Sequence, residues 1–412
     1  MQLARGRGAG PRVRIRDILR IREVRVVTVA TFVVMLGYGI LSPVLPLYAR
    51  SFHVGYDAVG LLVSAFAFTR LLFDLVAGPL VNRFGERAIV TVGAMIVGVS
   101  SGAAALAPNF PLLVIFRAAG GAGSSIFFAA LMSYLLQTAP KALLGRVMAV
   151  FYGAFNVGII VGNPLGGVIA HFFGLSSPLW FYAGACFVAA AMYVRSVRDP
   201  ERAAEAGPRP GLRQLTWSRS FVAVMAANGA YFWFVAAVIS TLVPLFGHDV
   251  VGLSQVGVGL ALAALSVAEF AVLFQAGSLV DRLGRKAVLL PGLLAITVLT
   301  VVTGFTTSVV LFVIAMFLLG GASGYGGVPQ PVMLADVVPP ELQPAAIGVY
   351  RFVGDIGFVA GPLLAGAMAR GFGFRAAFAV SALPCLATAL LLLTIPETRP
   401  RLRLVDSEGE AA

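Results

Sequence analysis

The sequence predicts an all-α polytopic membrane protein, with twelve transmembrane helices arranged as two pseudo-symmetric six-helix bundles. Three observations predict it: a composition too apolar for a soluble surface, twelve apolar runs of helix length, and features that repeat at a fixed offset. Hydrophobic residues make up 59% of the 412 residues and charged residues 12%, and the mean hydropathy is +0.93. About twenty apolar residues cross a bilayer as a helix, since each adds about 1.5 Å against roughly 30 Å of hydrocarbon. Such runs lie at Val26–Tyr48, Val59–Val81, Ala88–Leu106, Pro111–Gln137, Met148–Phe172 and Pro178–Val194. Six more follow at Phe221–Leu245, Val256–Val280, Ala287–Gly304, Ser308–Met333, Ala345–Ala369 and Ala376–Ile395. None alternates apolar and polar residues as barrel strands do, so the runs are taken as helices one to twelve.

The longest polar interruption separates the two sets of six. Gly78-Pro-Leu-Val-Asn82-Arg83-Phe-Gly85-Glu86-Arg87 answers Gly277-Ser-Leu-Val-Asp281-Arg282-Leu-Gly284-Arg285-Lys286. Gly120-Gly121 answers Gly320-Gly321, Gly158 and Gly162 answer Gly357 and Gly361, and Cys186 answers Cys385, each at an offset of 199 or 200. A duplicated six-helix unit explains a constant offset. The expected organisation is a basic tail (1–25), a bundle (26–194), a linker (195–220), a second bundle (221–395) and a tail (396–412).

A net charge of +12 suggests nucleic acid until the basic residues are placed. They fall in the tail from Arg5 to Arg25, at Arg83/Arg87, Lys141/Arg146, Arg195 to Arg219, Arg282 to Lys286 and Arg399 to Arg403. Arg50, Arg370 and Arg375 are left for the other side. That bias is the positive-inside signature, placing both termini in the cytoplasm of a multi-pass bacterial cytoplasmic-membrane protein, with the tail near anionic lipid. No basic-aromatic module accompanies the charge, which argues against nucleic acid. No cleavable signal peptide is expected, because the first run is longer than an h-region. The two cysteines sit inside apolar runs and read as small buried hydrophobes rather than a disulfide or metal site. With no phosphate-cradling GxxxxGK[ST] motif and no nucleophile–base or metal constellation, neither an ATP-driven pump nor an enzyme is expected. No cofactor is expected either; the energy source must be an ion gradient, a substrate gradient or a partner subunit, and a monomer is expected.

The paired loops carry a family resemblance. Gly-x-x-x-Asp-Arg-x-Gly-Arg-Arg/Lys after helices two and eight resembles the signature of the major facilitator superfamily. The first copy departs from it with Asn82 for the acid and Glu86 for a base; the second, Gly277 to Lys286, is intact. The resemblance implies gating loops built on Gly78, Arg83, Gly85, Arg87, Gly277, Asp281, Arg282, Gly284 and Arg285, with the glycine allowing close helix approach. Helix five carries Gly158-x-x-x-Gly162-Asn163-Pro164-Leu165-Gly166-Gly167, similar to a motif of the drug-proton antiporter branch with the proline shifted by one. Tight helix packing is the alternative reading of those glycines. The branch resemblance implies proton-coupled export of small amphipathic or drug-like compounds by alternating access. The alternative is a proton-coupled importer of a sugar, organic acid or amino acid, and a more distant one is a receptor or scaffold that moves nothing.

Ionisable groups inside the spans mark partners or pathways. Arg70 and Asp74, and Arg351 and Asp355, are each four apart and share a helix face. The family fold packs helices two and eleven antiparallel across the seam. Asp74 and Arg351 then lie about 10 Å from the cytoplasmic ends, and Arg70 and Asp355 about 16 Å. Two stacked pairs, Asp74–Arg351 and Arg70–Asp355, are expected to close the cytoplasmic side and to break when it opens; static packing is the alternative. Glu269 takes the repeat position of Arg70 and is expected to face Tyr152 and Asn156 of helix five, without a cation. Desolvation favours the protonated form of such a carboxylate, so Glu269, with Asp355, is the candidate proton carrier; a neutral Glu269 hydrogen-bonded to Tyr152 or Asn156 is the alternative. Helices one, four, seven and ten line the central site in this family. They offer Tyr38, Arg117, Asn228, Tyr231, Trp233, Tyr325 and Gln330 as cavity residues, with packing or interfacial anchoring as the alternative for each. Helix one lacks the acidic residue that many drug antiporters carry, which weakens a preference for cations.

Overall fold

A computed structural model describes residues 20–139, 143–197 and 214–398. The basic tail up to residue 19, Lys141, most of the linker and the residues from Arg399 onward lie outside the described residues. Among the described residues, eleven helices are long and apolar enough to cross a membrane. The last, Gln343–Leu393, is two passes joined at Gly373, whose φ of 80° breaks the helix. Twelve passes result, and among the described residues there is no strand.

The first bundle contains helix one (Arg22–Leu41, continued by Leu45–Arg50), two (Tyr56–Phe84), three (Glu86–Ala105), four (Phe110–Thr138), five (Leu144–Phe173) and six (Ser177–Ser196). The second contains helix seven (Arg219–Phe234, a π segment Val235–Leu242, then Val243–Asp249), eight (Gln255–Leu283), nine (Arg285–Thr303) and ten (Val309–Gly327 and Pro329–Val337), before the joined pair. Several helices start where a side chain satisfies an otherwise orphaned N–H. Asn109, Ser218, Ser254 and Ser308 each accept from the residue three positions on. The turns from helix two to three and from eight to nine pass through Gly85 and Gly284, at φ 86° and 112°. A Cβ is unfavourable in that region, which accounts for a glycine in both motif copies.

Each bundle has its own apolar core, one around Tyr134, Phe151 and Tyr193, the other around Phe221, Phe234, Phe312 and Phe378. The bundles meet where helix two packs on eleven and five on eight. Helix two buries Val59, Gly60, Leu62, Val63, Ser64 and Ala67 near its start, but only Ala77 and Val81 beyond. Helix eight repeats this, with Val258, Gly259, Ala261, Leu262, Leu265 and Ala268 buried and then only Ala276 and Val280. A Cβ on Gly60 would lie 2.1 Å from the Pro362 carbonyl oxygen, and one on Gly167 2.3 Å from that of Gln255. At Gly78, Gly153, Gly277 and Gly348 nothing lies within 4 Å. The bundles therefore touch at the end holding the 51–55 and 250–254 turns, here the far end. They stand apart at the end holding Arg83 and Arg282, the basic end.

The structure also refines the repeat within helices four and ten. A Cβ on Gly121 would meet the Phe66 carbonyl oxygen at 2.0 Å, and one on Gly320 that of Leu265 at 2.0 Å. Phe66 and Leu265 are 199 apart, so Gly121, not Gly120, is the counterpart of Gly320.

Candidate functional site

Helix two brings Arg70 and Asp74 to the seam on one face, one turn apart, and helix eleven does the same with Arg351 and Asp355. The antiparallel crossing then apposes opposite charges. Arg70 Nη2 donates to Asp355 Oδ1 at 2.6 Å, with Asp355 only 1% exposed and the guanidinium near the Phe358 ring. Asp74 Oδ1 accepts from Ser125 of helix four. Its Oδ2 lies 3.7 Å from Arg351 Nη2, an ion pair beyond hydrogen-bond length. Both pairs stand while the basic ends are apart, which corrects the expectation that opening this end breaks them. They sit at the inner limit of the closed contact, just past the Ser64 hydroxyl that donates to the Val359 carbonyl oxygen at 2.6 Å. Splaying about that contact separates atoms in proportion to their distance from it, and the pair nearer the opening is the longer one.

Glu269 is placed differently from its expectation. Its Oε1 lies 3.1 Å from the Tyr231 hydroxyl of helix seven, which is 3.0 Å from Ser323 Oγ of helix ten. Among the described residues Glu269 makes no ion pair. It turns into its own bundle, whereas Arg70, at the same repeat position, is long enough to cross the seam. Asn156 instead donates to the Tyr152 carbonyl oxygen, and Tyr152 is half-exposed at the parted end.

The proposed cavity residues divide into two groups. Arg117 is 3% exposed, with its guanidinium carbon 4.6 Å from the centre of the Phe66 ring. Tyr38 packs edge-on to Tyr182, and both lie within electrostatic range of Arg117. In the second bundle, Asn228 donates to the Tyr350 carbonyl oxygen at 2.5 Å. Gln330 donates to that of Gly326 and accepts from the Tyr350 hydroxyl. Those two amides are engaged in joining helices seven, ten and eleven. Trp233 has a buried indole N–H without an acceptor. Tyr325 contributes its backbone to a close approach by Gly292.

The motif loops fold back on their own bundles. Arg87 Nη2 donates to the Val194 carbonyl oxygen at 2.5 Å, and Lys286 Nζ approaches that of Leu393, 199 residues later. Arg285 pairs with Asp336 at 2.6 Å. The equivalent positions in the first bundle hold Glu86 and Gln137, joined at 2.6 Å, so an amide takes over where the ion pair is absent. Arg83 lies over the Phe84 ring; Asp281 and Arg282 are exposed. Gly78 and Gly277 make no close helix approach in this conformation, contrary to the expectation, because the ends they serve are parted. In helix five, a Cβ on Gly158, Gly162 or Gly166 would strike the helix-one backbone at 2.9, 2.5 and 2.0 Å, and Gly167 abuts helix eight. Pro164 lies within the helix between them. The packing reading of that motif has direct contacts behind it.

A far-end cluster escaped sequence reasoning. Asp249 accepts from the Tyr56 hydroxyl at 2.8 Å, lies 3.8 Å from Arg50 and contacts His248 Nδ1 at 2.8 Å. Asp57 pairs with Arg370 at 2.6 Å. The Tyr56–Asp249, Arg50–Asp249 and Asp57–Arg370 contacts join the two bundles. Arg50 and Asp249 are repeat equivalents, 199 apart and opposite in charge, which was the available signal.

Comparison with known proteins follows the same lines. The family model of the Major Facilitator Superfamily matches residues 27–272 and 252–411. The chain is similar to multidrug resistance protein 2 of Bacillus subtilis (strain 168), at 27% identity over 67% of this chain and 72% of that protein. Its fold is similar to a bacterial homologue of the human lysosomal transporter Spinster in an inward-facing and occupied conformation. The TM-score is 0.78 at 16% identity, covering 90% of this chain and 95% of that one. A D-xylose-proton symporter superposes with TM-score 0.75 at 16% identity, covering 91% and 98%.

Proposed function

This chain belongs to the Major Facilitator Superfamily, and from that premise we propose that it is a proton-coupled exporter of small amphipathic compounds. The family makes it a multi-pass membrane transporter of small molecules, not an enzyme. In this reading it works by alternating access in the bacterial cytoplasmic membrane, with the basic end inside, and the described conformation faces inward. The multidrug resistance protein it is similar to supports export.

The observation that carries proton coupling is the company of Glu269. An arginine beside a carboxylate favours its ionised form. Glu269 has no such partner among the described residues, and the Tyr231 hydroxyl, itself bonded to Ser323, can donate to the anion or accept from the acid. Each protonation state keeps its hydrogen bonds, so a proton can arrive and leave without stranding a buried polar atom. Tyr231 and Ser323 come from helices seven and ten, so movement of either alters the balance between the two states.

Efflux of a panel of amphipathic dyes from cells lacking their own pumps tests the reading, with wild type and Glu269→Gln at matched expression. Proton-gradient-dependent efflux in wild type, reduced at least tenfold in the variant, is the expected result. Efflux that survives in Glu269→Gln removes the coupling role from Glu269. Gradient-driven accumulation in place of efflux makes the protein an importer.

A further inference from the structure

Arg117 is the charge that neither the seam pairs nor Glu269 accounts for. It lies in the middle of helix four, 3% exposed, and its Nε and Nη1 have no hydrogen-bond acceptor. Among the described residues it makes no ion pair. Asp355 is taken by Arg70 and Asp74 by Arg351, while Glu269 is bonded to the Tyr231 hydroxyl in the other bundle. Helix one carries no acidic residue between Val26 and Tyr48. What compensates the guanidinium is the face of Phe66 at 4.6 Å, a weaker partner than a carboxylate.

The repeat supplies an internal control. With Gly121 matched to Gly320, the counterpart of Arg117 is Met316, fully buried. The second bundle thus builds the same helix contact with an apolar side chain, and the architecture does not require a cation there. A buried cation without an acceptor is costly, and an ionisable group inside a span marks a functional site by default.

We propose that Arg117 is the recognition point for an anionic group on the transported compound, which makes the substrate an amphipathic organic anion. The planar guanidinium fork matches a carboxylate or sulfonate bidentately. Tyr38, Phe66 and Tyr182, in contact or electrostatic range, offer ring faces for the apolar body of such a molecule. Phe66 stands where the anion would bind and gives way to it. The substrate's charge then completes the electrostatics of the first bundle. This rests on the transporter reading above and narrows its substrate class.

The test is binding without a gradient, so that a failure of proton coupling or of export leaves its outcome standing. The purified full chain in maltoside micelles is heated with 1-naphthalenesulfonate or with (1-naphthyl)trimethylammonium, two probes alike in apolar body and opposite in charge. The sulfonate is expected to raise the unfolding temperature saturably, and the ammonium is not. Arg117→Gln is expected to melt higher than wild type when ligand-free, having lost an uncompensated buried charge, and to lose the response to sulfonate. Arg117→Lys, which keeps the charge but not the fork, is expected to retain the response with affinity about tenfold weaker; it also serves should the glutamine variant not fold. Equal sulfonate responses in wild type and variants, a response to the ammonium instead, or no response of wild type to the sulfonate would each overturn the proposal.

Discussion

The two seam pairs use the same residue types and differ in geometry, and the difference sets what each is worth. Asp355 is nearly fully buried and bonded to Arg70 at 2.6 Å. Asp355→Asn leaves a cation facing a neutral amide in a desolvated place, and a loss of about 3–5 kcal/mol is expected. Arg351 is 40% exposed and 3.7 Å from its partner, so Arg351→Gln is expected to cost under about 1 kcal/mol in this conformation. Chemical denaturation in micelles distinguishes the two; equal losses would mean that the 3.7 Å pair is tighter in solution than its geometry indicates. These pairs were legible because i, i+4 spacing on two antiparallel helices leaves one complementary register. The partner of Glu269 was not, because the repeat locates a backbone position but not the direction in which a shorter side chain turns. Arg117, read as a cavity residue, shows its isolation only once every nearby acid has been assigned a partner.

At the scale of helices, length and hydropathy located the spans, while the interruptions followed local chemistry. Helix one breaks just before Pro46, helix ten resumes at Pro329, and helix seven loosens into a π segment whose Ala236 carbonyl accepts from Thr241 Oγ1 at 2.8 Å. Proline marks two of these breaks in the sequence. The π segment has no comparable signal, since it inserts a register shift into a uniformly apolar run. The glycines of helix five and of the motif loops separate packing from motion. Gly166→Ala places a Cβ 2.0 Å from the Ile40 carbonyl oxygen, so helices one and five must part and the folded yield is expected to fall sharply. Gly78→Ala and Gly277→Ala meet open space. They are expected to leave stability unchanged or raise it by about 0.5–1 kcal/mol, as glycine-to-alanine changes within helices do. If those glycines come together when the basic end closes, the same variants lose transport while staying folded. Thermal stability alongside transport rate reads both at once, and full activity in Gly78→Ala and Gly277→Ala would show that closure does not bring these positions together.

At the scale of the whole molecule, the duplicated bundles were legible from the offset of 199, but the end that stands open was not. Alternating access requires one sequence to support two packings that differ by little free energy, so the pattern that specifies one specifies the other. What favours the described packing is the contact at the far end, where Asp249 joins Tyr56 and Arg50, and Asp57 joins Arg370. These groups are 22–66% exposed, and each such pair contributes a few tenths of a kcal/mol up to about 1. Together they bias the equilibrium by about 1 kcal/mol, a factor of roughly five in population. The double variant Asp57→Asn/Asp249→Asn is therefore expected to shift the molecule about fivefold toward the conformation open at the far end. Spin labels on the 51–55 and 250–254 turns would show this as growth of the longer of two distances. High salt should shift wild type the same way and leave the double variant nearly unmoved, because exposed pairs are screened within about 10 Å at 0.1 M ionic strength. A salt response of equal size in both proteins would assign the bias to the apolar contact of helices two and eleven, where Gly60 meets Pro362, rather than to the charges above it.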